Sequence, residues 1–272
     1  MKRALALFLA LLMMLLTGAC AEADDGGEGI VHVLDEEQTD SFVQETGMIA
    51  SDPFRPDSLE RIILPPDDRK VVKKPKQYPY SAIAYMEAKG ECGCEWCCTG
   101  FMVTEKTLLT AAHCMMCKEH EKWAKKVTFY FGYKSRKNYL YRYKSKWTAW
   151  VGSFPSRNED DWAIVKLNKK VGKKTGWFGI RACSDDDLMG KSFCIAGFGG
   201  EDKLRYAWGT VTGVWEKQLG YNIDTLPGSS GSPIFDSNDY AIGINTSHTD
   251  SANFGQRLRS EIFQKMEQNG LL

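Results

Sequence analysis

The chain of 272 residues reads as an all-β protein that ends in one helix. Short apolar stretches recur along it, clusters of Gly, Asn, Asp and Ser separate them, and helical periodicity is almost absent until the last segment. Hydrophobic residues make up 43% and aromatics 12%, enough for a sizeable core. In chain order, residues 81–85, 127–131, 162–167 and 240–244 are strand candidates, with Ser237, Asn238 and Asp239 as the turn before the last of them. Strands at this spacing suit a barrel or a sandwich. Residues 255–269 place Leu258, Ile262, Phe263 and Met266 at helical spacing with Gly270 after them, which predicts a C-terminal amphipathic helix.

The N-terminus follows a different logic. Met1, Lys2 and Arg3 precede an uncharged apolar run over 4–16, and small residues close it at Ala19, Cys20 and Ala21. This predicts a secretory signal over 1–20, too short to span a bilayer comfortably. Two fates compete there: cleavage, or acylation of Cys20 to give a membrane lipid anchor. Residues 21–60 hold 12 Asp/Glu against a single basic residue, Arg55, while the rest of the chain is modestly basic. We expect 21–61 to be an acidic pro-segment or tether without fixed structure, and 62–272 to be the folded domain. The protein is expected to be secreted, or held at the outer face of the cell membrane.

Three short contexts carry chemistry. Gly228, Ser229, Ser230, Gly231, Ser232 and Pro233 form a turn with a nucleophile candidate. Ser230 alone has glycine both after it and two residues before it. Gly228 permits a tight turn that lets the amides of Gly228 and Ser230 converge on one oxygen. His113 follows a Thr-Ala-Ala approach that would bring backbone close behind the ring. His120, among Lys118, Glu119, Glu121 and Lys122, reads as solvated surface. Asp161 shares a strand face with Ala163, Val165 and Leu167, whereas Asp160 shares the face that includes Lys166, so Asp161 is the expected buried carboxylate. A hydroxyl, a base and an orienting carboxylate are what acyl transfer from a peptide requires.

These segments resemble the glutamyl endopeptidase group of trypsin-like serine proteases. The resemblance spans roughly 62–270 and includes 62–69, Thr99-Gly100-Phe101, Ala196-Gly197-Phe198-Gly199, Asp224-Thr225 and 255–262. It implies two six-stranded antiparallel β-barrels packed around a catalytic cleft, a C-terminal α-helix, and a precursor cut after Arg61 by an activating protease. His113, Asp161 and Ser230 would be catalytic, with Gly228 and Ser230 forming the oxyanion hole. Asp224, Thr225, Asn245 and His248 would line the specificity pocket. In that group a histidine stands where Asn245 stands here, so acidic substrates compete with the Lys/Arg preference that Asp224 suggests. Ser229 replaces the aspartate by which digestive trypsins capture a new N-terminus. A non-catalytic surface binding protein on a protease scaffold is the rival class.

Eight cysteines follow Cys20, and in an exported chain they read first as disulfides. Cys98 and Cys114 match the bridge the resemblance implies, and Cys183 is expected to pair locally with Cys194. Cys92, Cys94, Cys97 and Cys117 are left with three pairings open. A four-cysteine zinc site from Cys94, Cys97, Cys114 and Cys117 has suitable spacing, but export and the Cys98–Cys114 bridge argue against it. No metal and no cofactor are therefore expected. The Lys-, Arg- and aromatic-rich stretch over 125–147 reads as strands with one covered and one wet face rather than a nucleic-acid platform. Protein or peptide substrates acting on a monomer are the expected partners.

Overall fold

The computed structural model describes residues 27–33, 67–152, 160–199, 203–249 and 252–272. The expected signal, Cys20 and the junction at Arg61 lie outside the described residues. No helix among the described residues is long and apolar enough to cross a membrane.

Strands dominate. The first half contains β1 (Gly27–Val33), β2 (Lys70–Val71), β3 (Ile83–Gly90), β4 (Glu95–Met102), β5 (Thr107–Thr110), β6 (Met116–Cys117), β7 (Lys122–Phe131), β8 (Tyr141–Tyr143), β9 (Trp147–Val151) and β10 (Ala163–Leu167). Strands β9, β10, β5, β4, β3 and β7 succeed one another around a barrel, with β8 paired to β7. β1 sits between β9 and β7, parallel to the first and antiparallel to the second. Part of the acidic segment expected to lack fixed structure is therefore a barrel strand. The reason lies in the local sequence: Gly-Glu-Gly-Ile-Val-His-Val is the β-prone stretch of an otherwise acidic region. Gly27 is buried with its carbonyl accepting Trp147 Nε1–H at 2.8 Å, and His32 stacks on Trp150.

The second half contains β11 (Gly179–Ile180), β12 (Ser192–Phe198), β13 (Leu204–Val214), β14 (Gln218–Tyr221), β15 (Pro233–Phe235), β16 (Tyr240–His248) and β17 (Asn253–Arg257). β16, β15, β12, β13, β14 and β17 run in order, and β17 returns to β16, so six antiparallel strands close a second barrel. Its interior holds Ile195, Val211, Leu219, Tyr221, Ile234 and Ile242, all buried. The expected two-barrel architecture is present.

Two short helices, α1 (Gly172–Thr175) and α2 (Asp185–Leu188), lie between the barrels in sequence, and α3 (Ser260–Gln268) ends the chain. The helix begins later than its periodicity suggests, because Gly255 to Arg257 complete β17 and tertiary pairing overrides the pattern there. Ile262 and Met266 are buried in the core shared with the first barrel, and just past the helix Leu271 accepts the Thr107 hydroxyl at 2.6 Å. Each such buried aliphatic contributes roughly 1.5–3 kcal/mol through lost water contact. The helix thus ties the end of the chain to the first barrel. In the strands over 125–147 the consecutive residues Phe129, Tyr130 and Phe131 are all buried, so this end of β7 is covered on both faces rather than wet on one.

Candidate active site

The cleft lies where the barrels meet. His113 sits in a short 3-10 turn, Ala112–Met115, that comes after β5. Asp161 lies just before β10, and β10 pairs with β5, which brings the two residues together. Asp161 Oδ1 accepts the His113 backbone N–H at 2.9 Å and Oδ2 faces Nδ1 at 2.6 Å. One carboxylate therefore holds both the ring and the turn that presents it. With Nδ1–H donating to Asp161, Nε2 is the acceptor and receives the hydroxyl of Ser230 across a very short contact. All three side chains are buried.

Burial disfavours charge on His113, yet the Asp161 carboxylate outweighs it and raises the histidine pKa above its ordinary value. The converse holds for Asp161: burial pushes its pKa up, and His113 pulls it below the usual carboxylate value. Each group therefore favours the charged form of the other.

Strand alternation separated the two aspartates wrongly, since Asp160 is as buried as Asp161. The face that looked wet is covered by the second barrel and the helix start. Lys217 Nζ reaches Asp160 Oδ2 at 2.7 Å and Arg259 reaches Oδ1 at 2.6 Å. Asp160 is thus an ionic tie between barrels, adjacent to the carboxylate that orients the imidazole.

The loop before Ser230 is locked from within. Ser229 N–H and Oγ–H both donate to the Leu226 carbonyl, at 3.0 and 2.6 Å. The Ser229 carbonyl accepts Asn245 Nδ2 at 2.8 Å and the Ser232 hydroxyl at 2.5 Å. From the first barrel, Thr99 donates its N–H to the Ser230 carbonyl at 2.8 Å and its hydroxyl to the Gly228 carbonyl at 2.9 Å. Gly228 has φ +97° and Gly231 φ +82°, and a Cβ at Gly231 would fall 2.0 Å from the Thr99 carbonyl. Glycine is required at both positions. Among the described residues, the N–H groups of Gly228 and Ser230 donate to no other atom, which leaves both available to an oxygen beside Ser230.

The pocket differs from expectation. Asp224 and Thr225 line a small pocket with Arg69, Gly197, Gly199, Arg205 and Ser229 among its walls. Asn245 is not in it: its side chain is fully buried, bonded to Ser229 and to the Tyr221 hydroxyl at 2.6 Å. His248 is not among the pocket walls either but is buried opposite Asn253, whose Oδ1 accepts the Thr225 hydroxyl at 2.9 Å. A shift of register between Asn245 and Ser247 interrupts the β16–β17 pairing here, and no local sequence signal announces it. Asp224 accepts the Asp68 backbone N–H at 3.2 Å. Burial and the nearby Asp224 raise the pKa of Asp68. Sequence reasoning missed Asn253, Tyr221, Arg69 and Arg205, since each reaches the site only through the closure of the second barrel.

The cysteines also depart from expectation. Cys98 and Cys114 are buried free thiols in hydrogen-bond contact, so the bridge is absent although the pair is adjacent. Cys183 and Cys194 are both free and pack into different clusters, so the expected local bridge is not formed. The zinc set drawn from spacing fails as well, because Cys97 is disulfide-bonded and Cys114 faces Cys98.

The family model described as Trypsin matches residues 70–266, most of the chain and nearly all of both barrels. The chain belongs to the trypsin family. Among curated relatives, a protein named extracellular metalloprotease from Bacillus subtilis is 27% identical over 216 residues, covering 75% of this chain and 68% of that protein. A glutamyl endopeptidase from Bacillus licheniformis is also 27% identical, over 222 residues, covering 74% of this chain and 66% of the relative. This trypsin-family chain thus spans about two thirds of the length of both. A solved Glu endopeptidase structure superposes with a TM-score of 0.66 at 22% identity, covering 75% of this chain and 97% of that one. Family membership makes the protein a serine endopeptidase of the glutamyl endopeptidase-like kind.

Proposed function

We propose that Ser230 is the nucleophile, His113 the base and Asp161 its orienter, in an exported endopeptidase that cuts after acidic residues. The observation that carries the reading is the continuous hydrogen-bond chain from Asp161 through His113 to Ser230. Neutral His113 takes the Ser230 proton as Oγ attacks the scissile carbonyl, and Asp161 stabilises the imidazolium that forms. The Gly228 and Ser230 amides receive the developing oxyanion. His113 then returns the proton to the leaving amine, and water repeats the sequence to release the acid. The chemistry calls on no further group.

The acidic preference rests on the cavity walls. Arg205 supplies positive charge and Thr225 a hydroxyl, Arg69 stands there paired with Asp67, and Asp224 accepts the Asp68 backbone N–H. One observation favours the other reading: Asp224 stands in the same cavity, and a cut after Arg61 that moved Asp68 would free its carboxylate for Lys or Arg. The contact between Cys98 and Cys114 supports their oxidation to the expected bridge after export. Digestion of a mixed peptide library by the processed full chain, with the residue before each cut identified, tests all of this. Asp or Glu before the cuts is the expected outcome. Lys or Arg there would overturn the pocket assignment, and failure to react with a fluorophosphonate would overturn the nucleophile.

A further inference from the structure

Three cysteines and a histidine that take no part in the cleft meet at the edge of the first barrel. The turn between β3 and β4 presents Cys92 and Cys94, and the segment from β6 into β7 presents Cys117 and His120. One ligand atom from each lies within 4.8 Å of all the others. His120 Nδ1 is 3.4 Å from Cys94 Sγ and 3.6 Å from Cys117 Sγ. A tetrahedral zinc with bonds of about 2.3 Å to sulfur and about 2.0–2.1 Å to nitrogen needs S···N separations of about 3.6 Å and S···S separations of about 3.8 Å. The histidine and its two neighbouring sulfurs are already at those separations.

The backbone is arranged for the purpose. Gly93 has φ +86° with nothing within 4 Å of a Cβ position, a tight turn that lets the flanking side chains converge. Gly90 N–H closes that turn onto the Cys94 carbonyl at 2.9 Å. The Cys94 amide is directed at the Cys92 sulfur, a support that metal-bound sulfur commonly receives. Pairing of Met116 with Trp123 and Cys117 with Lys122 fixes the second ligand pair.

We propose that Cys92, Cys94, Cys117 and His120 form a structural zinc site. Three sulfurs and one imidazole in tetrahedral reach select zinc over hard cations, and four protein ligands leave no open position for a reacting water. Binding replaces the three thiol protons, which pass to solvent. A disulfide accounts for the arrangement less well, since three cysteines can form only one bridge and His120 would have no part in it. Cys117 lies four residues beyond His113, so the ion fastens the far end of the segment carrying His113 to the β3–β4 turn. It is a positioning device for the base, remote from the bond being cut.

The test uses the full chain purified without chelator, its zinc measured by elemental analysis, and a sample exchanged with cobalt(II). Stoichiometric zinc that survives dialysis is expected, with tetrahedral ligand-field and thiolate charge-transfer bands in the cobalt form. Cys94→Ser and His120→Ala should each abolish stoichiometric retention, whereas Cys183→Ser should keep it. Cys92→His, which preserves four ligands, should retain zinc and guards against variants that fail to fold. Metal-free protein lighter by two hydrogens, from a bridge within Cys92, Cys94 and Cys117, would overturn the proposal. Undiminished zinc in both ligand variants would do the same.

Discussion

The two barrels solve one problem differently. The second closes on itself, β17 returning to β16, and its loop is held by Asn245 of β16 and by Ser232 just before β15. The first closes through β1, a strand contributed by the acidic segment, and its histidine turn is held by the Asp161 carboxylate and, further along, by the pairing of Cys117 with Lys122. The Ser230 side is fixed mostly from within its own barrel, with Thr99 of the first barrel bracing it from outside; the His113 side shares its barrel with a strand from the acidic segment. Even the loop that trypsins order through a new N-terminus is here closed by Ser229 on Leu226, with no ion pair needed.

Substitutions can sharpen that contrast. Ser230→Ala should lower kcat by about six orders of magnitude with the fold intact, measured with an activated peptide ester. Asp161→Asn should cost about four orders, because the imidazole loses its fixed tautomer. The same variant tests the pH dependence. His113 must be neutral to accept a proton, and Asp161 raises its pKa, so wild-type kcat/KM should climb with pH through a midpoint above the ordinary histidine value of about 6.5. In Asp161→Asn that midpoint should move down; an unmoved midpoint would break the assignment of cause. The ion pair's contribution to stability runs the other way, present at and below the ordinary histidine pKa and lost as pH rises through the raised one.

Asp160→Ala should destabilise by about 3–5 kcal/mol by leaving Lys217 and Arg259 without their shared carboxylate, while the pH midpoint stays fixed. Chemical denaturation and the pH profile separate these effects. Smallest is Asn245→Leu, which leaves the Ser229 carbonyl short of one donor and should cost about 1–3 kcal/mol. If activity falls with it while KM changes little, the side chain holds the loop rather than reading substrate.

How far the sequence could be read depends on the physical range of each interaction. That Ser230, His113 and Asp161 come together was legible because each sits in a short local context. The alternation and the turn at 237–239 were legible for the same reason, and Asp236 Oδ1 indeed accepts the amides of Asn238 and Tyr240 there. Asp160, Asn245 and His248 were misplaced because their burial is decided by strands and side chains distant in sequence. The cluster at Cys92 eluded spacing rules because two of its ligands are separated by one residue and its histidine stands in a charged run that looks solvated. β1 was missed because composition averaged over the acidic stretch 21–60 hides a seven-residue strand.

That strand changes what activation means. Five of its residues are in register with β9 and two with β7. Severing the peptide bond after Arg61 would leave these ladders untouched, so such a cut would yield a nicked protein of two associated polypeptides, the smaller a stave of the larger. Were the smaller piece also lipidated at its start, proteolysis alone would not release the enzyme from the membrane.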